Sequence, residues 1–405
     1  MSTSAGWQLL EPRMAGIRKR LAALESAPER RHSFLPLRTE RDTAYVDYEG
    51  RRLLMMSGYS YLGLGGDDRV VAAAKDAIET YGTGAHGVRA LGGSLPLHVE
   101  LEAEVADFLG RESAIVFGSG YAANVGTIGA LVGPGDTVLV DKLDHASIVD
   151  GCQLSGATVT RFRHNDPNHL DQRLAAVQGD GLRLVIVDSV YSMDGDIAPL
   201  PELRKVCDAH GALLMVDEAH ALGVIGETGR GIEEHFNFEV KVDIKVGTLS
   251  KGIPATGGWV VGSPDLIRYL RFNARPFLFS AALAPAQVGT ALAALRILRA
   301  EPERVRHIQE ESARLRTTVA AAGLNVGPSE TAVIPLIAGG DEKAYDLATE
   351  LRKRGVIGLP VVSPAVPNTQ ARLRIAITAK HTKADLDLAA EAFIDAARAC
   401  GLIGA

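Results

Sequence analysis

The middle of the chain alternates short apolar runs with longer amphipathic stretches, and this alternation constrains the fold more than any other feature. The apolar runs are predicted to be strands and are SAIVFGSG, DTVLVDK, ATVTRFRH, RLVIVDSV, ALLMVDEA, IKVGTLSK and GGWVVGS. Stretches such as LHVELEAEVADFLG and LPELRKVCDAHG have helical spacing and separate several of them. Strands that alternate with helices favour an α/β fold with a mostly parallel central sheet. Such sheets bind ligands at the carboxyl ends of their strands.

The flanking regions predict one segment before this sheet and a smaller domain after it. A helix is expected from residue 14 to about residue 27, followed by a hairpin in AYVDYEGRRLLMMSG, which alternates around a Glu-Gly turn. An Ala/Leu-rich helix over residues 286–299 leads to the helix DEKAYDLATELRKRG, strands in AVIPLIA and RLRIAIT, and a closing helix over residues 382–398. We therefore expect an N-terminal helix and hairpin segment over residues 1–57, a large domain over residues 58–285 and a small α+β domain over residues 286–405.

Composition and charge exclude several kinds of partner. The formal net charge of −6 argues against a nucleic-acid surface or electrostatic attraction to membranes. Cys152, Cys207 and Cys400 form no CxxC or Cys/His spacing, so we expect neither a zinc site nor a disulfide framework. No apolar run approaches the roughly 20 residues that span a bilayer, and the N-terminus lacks a signal-peptide core. The sequence therefore predicts a cytoplasmic protein without a metal, nucleic-acid or membrane partner.

An acidic residue ends one of the most apolar predicted strands. In LLMVDEAHALGVIG, Asp217 follows the apolar run and His220 lies three residues further on. A buried carboxylate is costly unless it has a cationic partner. A protonated pyridine nitrogen is such a partner, and the ring that carries it then acts as an electron sink. The alternative is an ordinary aspartate that caps the next helix.

A lysine in unusual surroundings follows the next strand. Lys251 lies in GTLSKGIPATGG, among glycines and after the hydroxyl residues Thr248 and Ser250. A lysine that forms a Schiff base needs a site where its amine loses a proton. The neighbouring hydroxyls are suited to a phosphate group. This pattern therefore predicts a lysine that holds a flat, phosphorylated ring.

A third stretch, FGSGYAANVG, places small residues between a strand and a helix. Gly118, Gly120 and Tyr121 open the predicted helix, whose N-terminal backbone N–H groups would bind a phosphate. Gly-Ser-Gly alone is common in tight turns, but its position between strand and helix favours the anion-binding interpretation.

Two further motifs follow predicted strands. DKLDHASIVDG supplies His145, which is either a structural histidine or an imidazole stacked on a cofactor ring. VYSMDGDIAPL supplies Ser192 and a turn at Asp194-Gly195. The ordered set of a phosphate loop, a histidine, Ser-Met-Asp-Gly, Asp-x-x-His and Thr-x-x-Lys indicates that Lys251 carries a pyridoxal phosphate cofactor.

These segments resemble the α-oxoamine synthases, a branch of the fold-type I pyridoxal-phosphate enzymes with the aminotransferase-like fold. The motifs that carry the resemblance are DHASIVDGC, YSMDGDIAPL, VDEAHALGVIG, TLSK and GGWVVGS, and the resemblance extends from near Tyr59 to near His381. It implies a homodimeric C-acyltransferase, with active sites at the subunit interface and pyridoxal 5'-phosphate as cofactor.

The resemblance also implies a role for each matching residue. Lys251 forms the Schiff base and removes the α-proton, Asp217 pairs with the pyridinium nitrogen, and His145 stacks on the ring. The residues implied to bind the cofactor are Gly120, Tyr121, His145, Ser192, Asp217, His220, Thr248, Lys251 and Ser280. Ser280, in RPFLFSAAL, is implied to reach the phosphate of the partner subunit. Arg374, in RLRIAIT, is implied to grip the carboxylate of the amino acid, which suits a bidentate guanidinium.

The implied reaction is a Claisen condensation of serine, alanine or glycine with an acyl-CoA or acyl-carrier-protein thioester, with decarboxylation to an aminoketone. HASIVDGCQ and NARPFLFSAAL are most similar to the soluble bacterial serine palmitoyltransferases, which we favour. An 8-amino-7-oxononanoate synthase-like enzyme, a glycine C-acyltransferase, and a fold-type I lyase or decarboxylase are the alternatives. Ser60, His86 and Val362 depart from the family pattern, and we expect them to line the entrance for the amino acid and the acyl group.

Overall fold

The N-terminal part of the protein contains one long helix and a small hairpin. The structure, a computed structural model, describes residues 5–25 and 30–404. Helix α1 covers Ala5–Glu25, and the predicted helix end near residue 27 lies outside the described residues. Strand β1 (Arg38–Thr39) pairs with β2 (Tyr45–Tyr48), which forms the expected hairpin with β3 (Arg51–Met55). Glu49 and Gly50 both have positive φ, 53° and 76°, as a tight hairpin turn requires.

The central sheet has seven strands in the order β4-β10-β9-β8-β7-β5-β6. All seven predicted strands are present: β4 (Ser113–Phe117), β5 (Thr137–Asp141), β6 (Thr158–Phe162), β7 (Arg183–Asp188), β8 (Leu213–Asp217), β9 (Ile244–Ser250) and β10 (Pro254–Gly262). Only β10 runs antiparallel to its neighbours β4 and β9. The predicted α/β fold with a mostly parallel sheet is therefore confirmed.

Both faces of this sheet are buried along its inner strands, as a parallel sheet requires, whereas the edge strand β6 is largely exposed. The helices between and around its strands are α2 (Asp68–Tyr81), α3 (Pro96–Phe108), α4 (Gly120–Leu131), α5 (Ala146–Ser155), α6 (Pro167–Ala175), α7 (Leu200–Ala209), α8 (Ile232–His235), α9 (Pro264–Asn273), α10 (Arg275–Leu278) and α11 (Pro285–Ala300). Along β7, Val185 and Val187 pack into one apolar cluster, whereas Leu184 and Ile186 pack into another. The alternation of side chains along a strand explains why the run is continuously apolar.

The C-terminal part contains a second, smaller sheet. Helix α12 (Glu303–Ala321) precedes β11 (Val333–Gly339), α13 (Asp341–Lys353), β12 (Val356–Ile357), β13 (Pro360–Val361), β14 (Ala371–Ala376) and α14 (Lys383–Ala399). The antiparallel order is β11-β14-β13, whereas β12 pairs in parallel with β3 of the N-terminal hairpin. The predicted helices and strands of this part are confirmed, and the domain boundaries after residues 57 and 285 stay a prediction.

The strand register brings acidic side chains together at one edge of the central sheet. Asp188 and Asp217 are the last residues of β7 and β8, and they are direct neighbours in the register. His145 starts the helix that follows β5, and Lys251 follows the end of β9 directly. The carboxyl ends of the parallel strands therefore gather the polar residues that the sequence placed after separate strands.

Candidate active site

A cavity of about 250 Å³ lies at this edge of the sheet. Seven of the residues expected to bind the cofactor line it, namely Gly120, Tyr121, His145, Asp217, His220, Thr248 and Lys251. Ser119, Asn124, Ser147, Asp188 and Ser250 add polar groups to the same wall. The structure thus brings together residues that are up to 132 positions apart in the chain, from Ser119 to Lys251.

The amine of Lys251 lies in a largely buried position. Its Nζ is 2.8 Å from Nε2 of His220. Burial lowers the pKa of Lys251 to about 8, an effect that Arg374 reinforces and that the carboxylates of Asp217 and Asp188 oppose. An amine with this pKa is partly unprotonated near neutral pH, so it can act as a nucleophile or as a base.

The carboxylate of Asp217 is held by neutral donors. Its Oδ2 accepts a hydrogen bond from Asn124 Nδ2 at 2.7 Å, and its Oδ1 accepts one from the backbone N–H of Ala219 at 2.8 Å. The residue is buried, with 5% of its surface exposed. Since neither donor neutralises the carboxylate, its charge is available to a cationic group in the cavity.

His145 is fixed by the start of helix α5. As the N-cap residue of that helix, it accepts the backbone N–H of Ser147 on Nδ1 at 3.2 Å, and Nδ1 is also 2.8 Å from the Ser147 hydroxyl. Burial and the nearby charge of Lys251 lower the pKa of His145, whereas Asp217 raises it. A neutral imidazole held through one nitrogen presents a fixed ring to the cavity.

Residues 118–121, here called the phosphate loop, connect β4 to helix α4. The Ser119 side chain caps the helix by accepting the backbone N–H of Ala122 at 3.0 Å. A Cβ atom on Gly120 would lie 2.9 Å from Cβ of Thr248, and one on Gly258 would lie 2.4 Å from the carbonyl oxygen of Ser119. Glycine at both positions therefore lets the helix N-terminus, with its free N–H groups, approach the strand that leads to the lysine.

The hydroxyl groups opposite the phosphate loop are also preorganised. Oγ1 of Thr248 lies 2.7 Å from Oγ of Ser250 and donates to the carbonyl oxygen of Gly257 at 3.1 Å. Tyr121 is about half exposed and its hydroxyl donates to Asp150. Together, these groups and the helix N-terminus form a site of the type that binds a phosphate dianion.

Arg374 reaches the site from strand β14 of the smaller sheet. Its Nε donates to the carbonyl oxygen of Ser192 at 2.6 Å, and its Nη2 donates to the hydroxyl of Tyr61 at 2.9 Å. The guanidinium also lies over the ring of Tyr59, with Cζ 4.4 Å from the ring centroid. Arg374 contacts the main chain of Ser192, not its hydroxyl. The expected role of the Ser192 side chain toward the cofactor therefore stays a prediction.

Besides Ser192 and Arg374, four expected residues do not line the cavity. Ser280 is exposed, and it lines a separate small cavity with Gly118 and Arg89. Ser60 lines a second cavity of about 480 Å³. His86 is exposed and has a φ of 62°. Val362 is partly buried and packs against the main apolar cluster. Their expected roles at the entrance, or in the partner's site, stay predictions.

The sequence reasoning did not assign three residues that the structure places in the site. Asn124 lies in the quoted FGSGYAANVG, but an asparagine inside a helix carries no signal of its target. Asp188 ends an apolar run just as Asp217 does, and the same argument could have identified it. Tyr61 lies in YSYLGL, far from the other motifs in sequence, so its contact with His220 depends on tertiary structure.

The described residues contain neither a metal-binding cluster nor a membrane-spanning helix. Among residues 5–25 and 30–404, no group of three or more His, Cys, Asp or Glu side chains is arranged to hold a metal ion. Within the same residues, no helix has the length and apolar content needed to cross a membrane.

The arrangement suits pyridoxal phosphate. The aldehyde of this cofactor needs an amine, its ring nitrogen needs a carboxylate, and its phosphate needs an anion-binding helix end. The cavity is lined by Lys251, Asp217 and the phosphate loop, which supply these three groups. A Cβ atom on Gly120 or Gly258 would clash with neighbouring atoms, so the phosphate loop is shaped for close approach of its backbone to a ligand. The residues present therefore fit this group.

Comparison with known proteins identifies the class to which this fold and site belong. The family described as aminotransferase class I and II matches residues 52–393, and the chain belongs to this family. It is 40% identical over 361 residues to a serine palmitoyltransferase from Sphingobacterium spiritivorum, covering 89% of this chain and 90% of that protein. It is also 40% identical over 387 residues to an 8-amino-7-oxononanoate synthase from Thermoanaerobacter pseudethanolicus, covering 95% and 94%.

A solved structure agrees with these relatives. Serine palmitoyltransferase from S. paucimobilis, a variant with a bound PLP–myriocin aldimine, superposes with a TM-score of 0.92 at 34% identity, covering 97% of this chain and 100% of that chain. The relatives assign the chain to the α-oxoamine synthase branch of the family. The expected family and fold-type I architecture are confirmed.

Proposed function

We propose that the protein is a pyridoxal-phosphate-dependent α-oxoamine synthase that condenses a small amino acid, with L-serine favoured, with an acyl thioester. Carbon dioxide and a thiol are released, and the product is an aminoketone. One observation carries this proposal: the Lys251 amine, the Asp217 carboxylate and the phosphate loop line one cavity. The choice of serine is supported by the likeness to serine palmitoyltransferases, and alanine is the second candidate because an 8-amino-7-oxononanoate synthase is equally identical.

Each side chain has a distinct task in this reaction. Pyridoxal phosphate, when bound, withdraws electrons from the α-carbon of the amino acid. The Asp217 carboxylate would hold a proton on the ring nitrogen, and His145 would contact the ring from the wall of the cavity. Lys251 would hold the cofactor through Nζ, and the same atom, as a free amine, would accept the α-proton. Its lowered pKa supports this role, because the amine must be unprotonated to act as a base.

The substrates approach from the side of Arg374. We assign this guanidinium to the carboxylate of the amino acid, since it is buried, already oriented by two hydrogen bonds and close to Lys251. The second cavity, of about 480 Å³, is assigned to the acyl thioester, carried by coenzyme A or a carrier protein. The ring of Tyr59 lines that cavity and lies 5.7 Å from Nζ of Lys251, so the two sites are adjacent.

Proton exchange tests the proposal directly. The purified, pyridoxal-phosphate-loaded protein is incubated in D2O with glycine, L-alanine or L-serine, with and without an acyl thioester, and the α-proton signal is followed by NMR. The wild type is expected to lose the α-proton signal of L-serine. A Lys251→Ala variant is expected to retain that signal. Exchange of L-alanine alone would transfer the assignment to the second candidate. No exchange for any amino acid with thioester present would contradict the function.

We also propose that the protein is a cytoplasmic homodimer in which Ser280 reaches the phosphate bound in the partner subunit. Two large, exposed apolar side chains support an interface there: Phe279, which precedes Ser280, is 70% exposed, and Leu91, three residues after the Val88 that pairs with Ala281, is 90% exposed. Sedimentation equilibrium is expected to give twice the mass of 42.9 kDa. A Phe279→Asp variant is expected to sediment as a monomer, and a monomeric wild type would contradict the proposal.

A further inference from the structure

Four side chains form one hydrogen-bonded chain that ends at the catalytic lysine. Nη2 of Arg374 lies 2.9 Å from the hydroxyl oxygen of Tyr61, and that oxygen lies 2.7 Å from Nδ1 of His220. Nε2 of the same imidazole lies 2.8 Å from Nζ of Lys251. Tyr61 has no exposed surface, so its hydroxyl depends on these partners.

The direction of these bonds follows from the chemistry of the first member. A guanidinium has only donors, so the hydroxyl oxygen of Tyr61 accepts from Arg374 and its own proton must go elsewhere. Among the described contacts, the acceptor for that proton is Nδ1 of His220. Arg374 Nη2 is also 3.5 Å from Nδ1, so a proton on Nδ1 would face a second donor. Nδ1 is therefore unprotonated.

The other imidazole nitrogen then carries the proton. Burial and the charges of Lys251 and Arg374 lower the pKa of His220 well below its usual value, which supports a neutral ring. A neutral imidazole with an unprotonated Nδ1 carries its hydrogen on Nε2, and this hydrogen points at Lys251 Nζ. The amine accepts it through its lone pair, which requires the unprotonated form.

We propose that Tyr61 is a positioning residue that fixes His220 as the Nε2–H tautomer and, whenever the Lys251 amine is free and unprotonated, joins Arg374 to Lys251 in one directed hydrogen-bond chain. This inference rests on the proposed function. Its consequence is that the residue assigned to the substrate carboxylate and the residue assigned to the α-proton share a connection through a phenol that lines neither of the two cavities.

The test uses a Tyr61→Phe variant of the full-length, pyridoxal-phosphate-loaded protein. Tyr269→Phe is the matched control, because it also removes one phenol hydroxyl, which donates to the carbonyl oxygen of Ala130 on helix α4. Protein labelled with ¹⁵N-histidine is examined by two-bond ¹H–¹⁵N correlation. The chain has 11 histidines, and a His220→Gln variant identifies the signals of His220.

The expected result has two parts. In the wild type and the Tyr269→Phe control, His220 shows a protonated Nε2 and an unprotonated Nδ1, and in Tyr61→Phe the Nδ1 resonance moves because its donor is gone. Amino-acid affinity, read from the absorbance of the bound cofactor, falls roughly 10- to 100-fold in Tyr61→Phe only, since a hydrogen bond to a charged group is lost.

Two outcomes overturn the proposal. A wild-type His220 with its proton on Nδ1 would reverse the inferred direction, and unchanged His220 signals in Tyr61→Phe would show that the phenol only fills space. A lower melting temperature with unchanged signals also overturns it. Failure of the proposed function is recognised separately, because a wild type that exchanges no α-proton still reports the tautomer of His220.

Discussion

The low pKa of Lys251 makes cofactor capture depend on pH in a way that can be calculated. Burial lowers this pKa from the usual 10.5 to about 8. At pH 7 the unprotonated fraction of the amine therefore rises about 300-fold, from roughly 0.03% to roughly 10%. Since only the unprotonated amine attacks an aldehyde, the rate of covalent capture should follow this fraction.

The assay is stopped-flow absorbance after mixing apoprotein with pyridoxal phosphate at saturating concentration between pH 6 and pH 10. The observed rate is expected to rise about tenfold per pH unit up to about pH 8 and then to level off. Nα-acetyl-lysine, tested in the same buffers, corrects for ionisation of the aldehyde and continues to rise toward its ordinary pKa.

One result would refute the reasoning. If the corrected rate for the protein continued to rise to pH 10, the amine would have an ordinary pKa, and burial of Lys251 would have no effect on its chemistry. A Lys251→Ala variant, which lacks the amine, must show no capture phase at any pH for the measurement to be valid.

Three further predictions concern groups around the site. His164 bridges two aspartates, and their hydrogen bonds and charges outweigh its burial and raise its pKa to about 10. The protonated imidazole therefore stabilises the folded protein fully below pH 6.5, and this contribution is lost as the pH rises to 10. Chemical denaturation should accordingly show His164→Gln about 2 kcal/mol less stable than wild type at pH 6, with a smaller difference at pH 10. Asn124→Leu removes a donor to Asp217 and should weaken cofactor binding at least roughly tenfold by equilibrium dialysis, and an unchanged affinity would contradict this role. Gly258→Ala should displace the phosphate loop and weaken cofactor binding. The control Gly129→Ala places its methyl group in open space on helix α4 and should leave cofactor binding unchanged. Equal affinities of the two variants would argue against the steric reasoning.

The main sheet could be predicted because its strands carry their signal locally. RLVIVDSV and ALLMVDEA are short apolar runs that end in an acid, and a buried parallel strand has that appearance wherever its neighbours lie. The same local logic placed Asp217 and Lys251 at strand ends. Because parallel strands align their carboxyl ends, residues far apart in sequence were expected to meet, and they do.

The parts that were missed depend on contacts between distant segments. Tyr61 meets His220 across 159 positions, and Asn124 meets Asp217 across 93 positions. Neither residue type nor local spacing indicates such a partner, since a tyrosine in a loop and an asparagine in a helix are common. Ser280 differs from these residues, because it is exposed in the single chain and its expected role depends on the proposed partner subunit.

Strand β14 begins at Ala371, long after the central sheet is complete in the chain at Gly262. Its arginines hold the turn after β7, since Arg372 donates to the carbonyl oxygen of Met193 and Arg374 to that of Ser192. Synthesis runs from the N-terminus, so a nascent chain can form the central sheet and its cavity well before residue 374 exists. The order of synthesis therefore separates the two halves of the site in time: the cavity at the central sheet can form first, and Arg374, which we propose binds the amino acid, joins it only after β14 has been made.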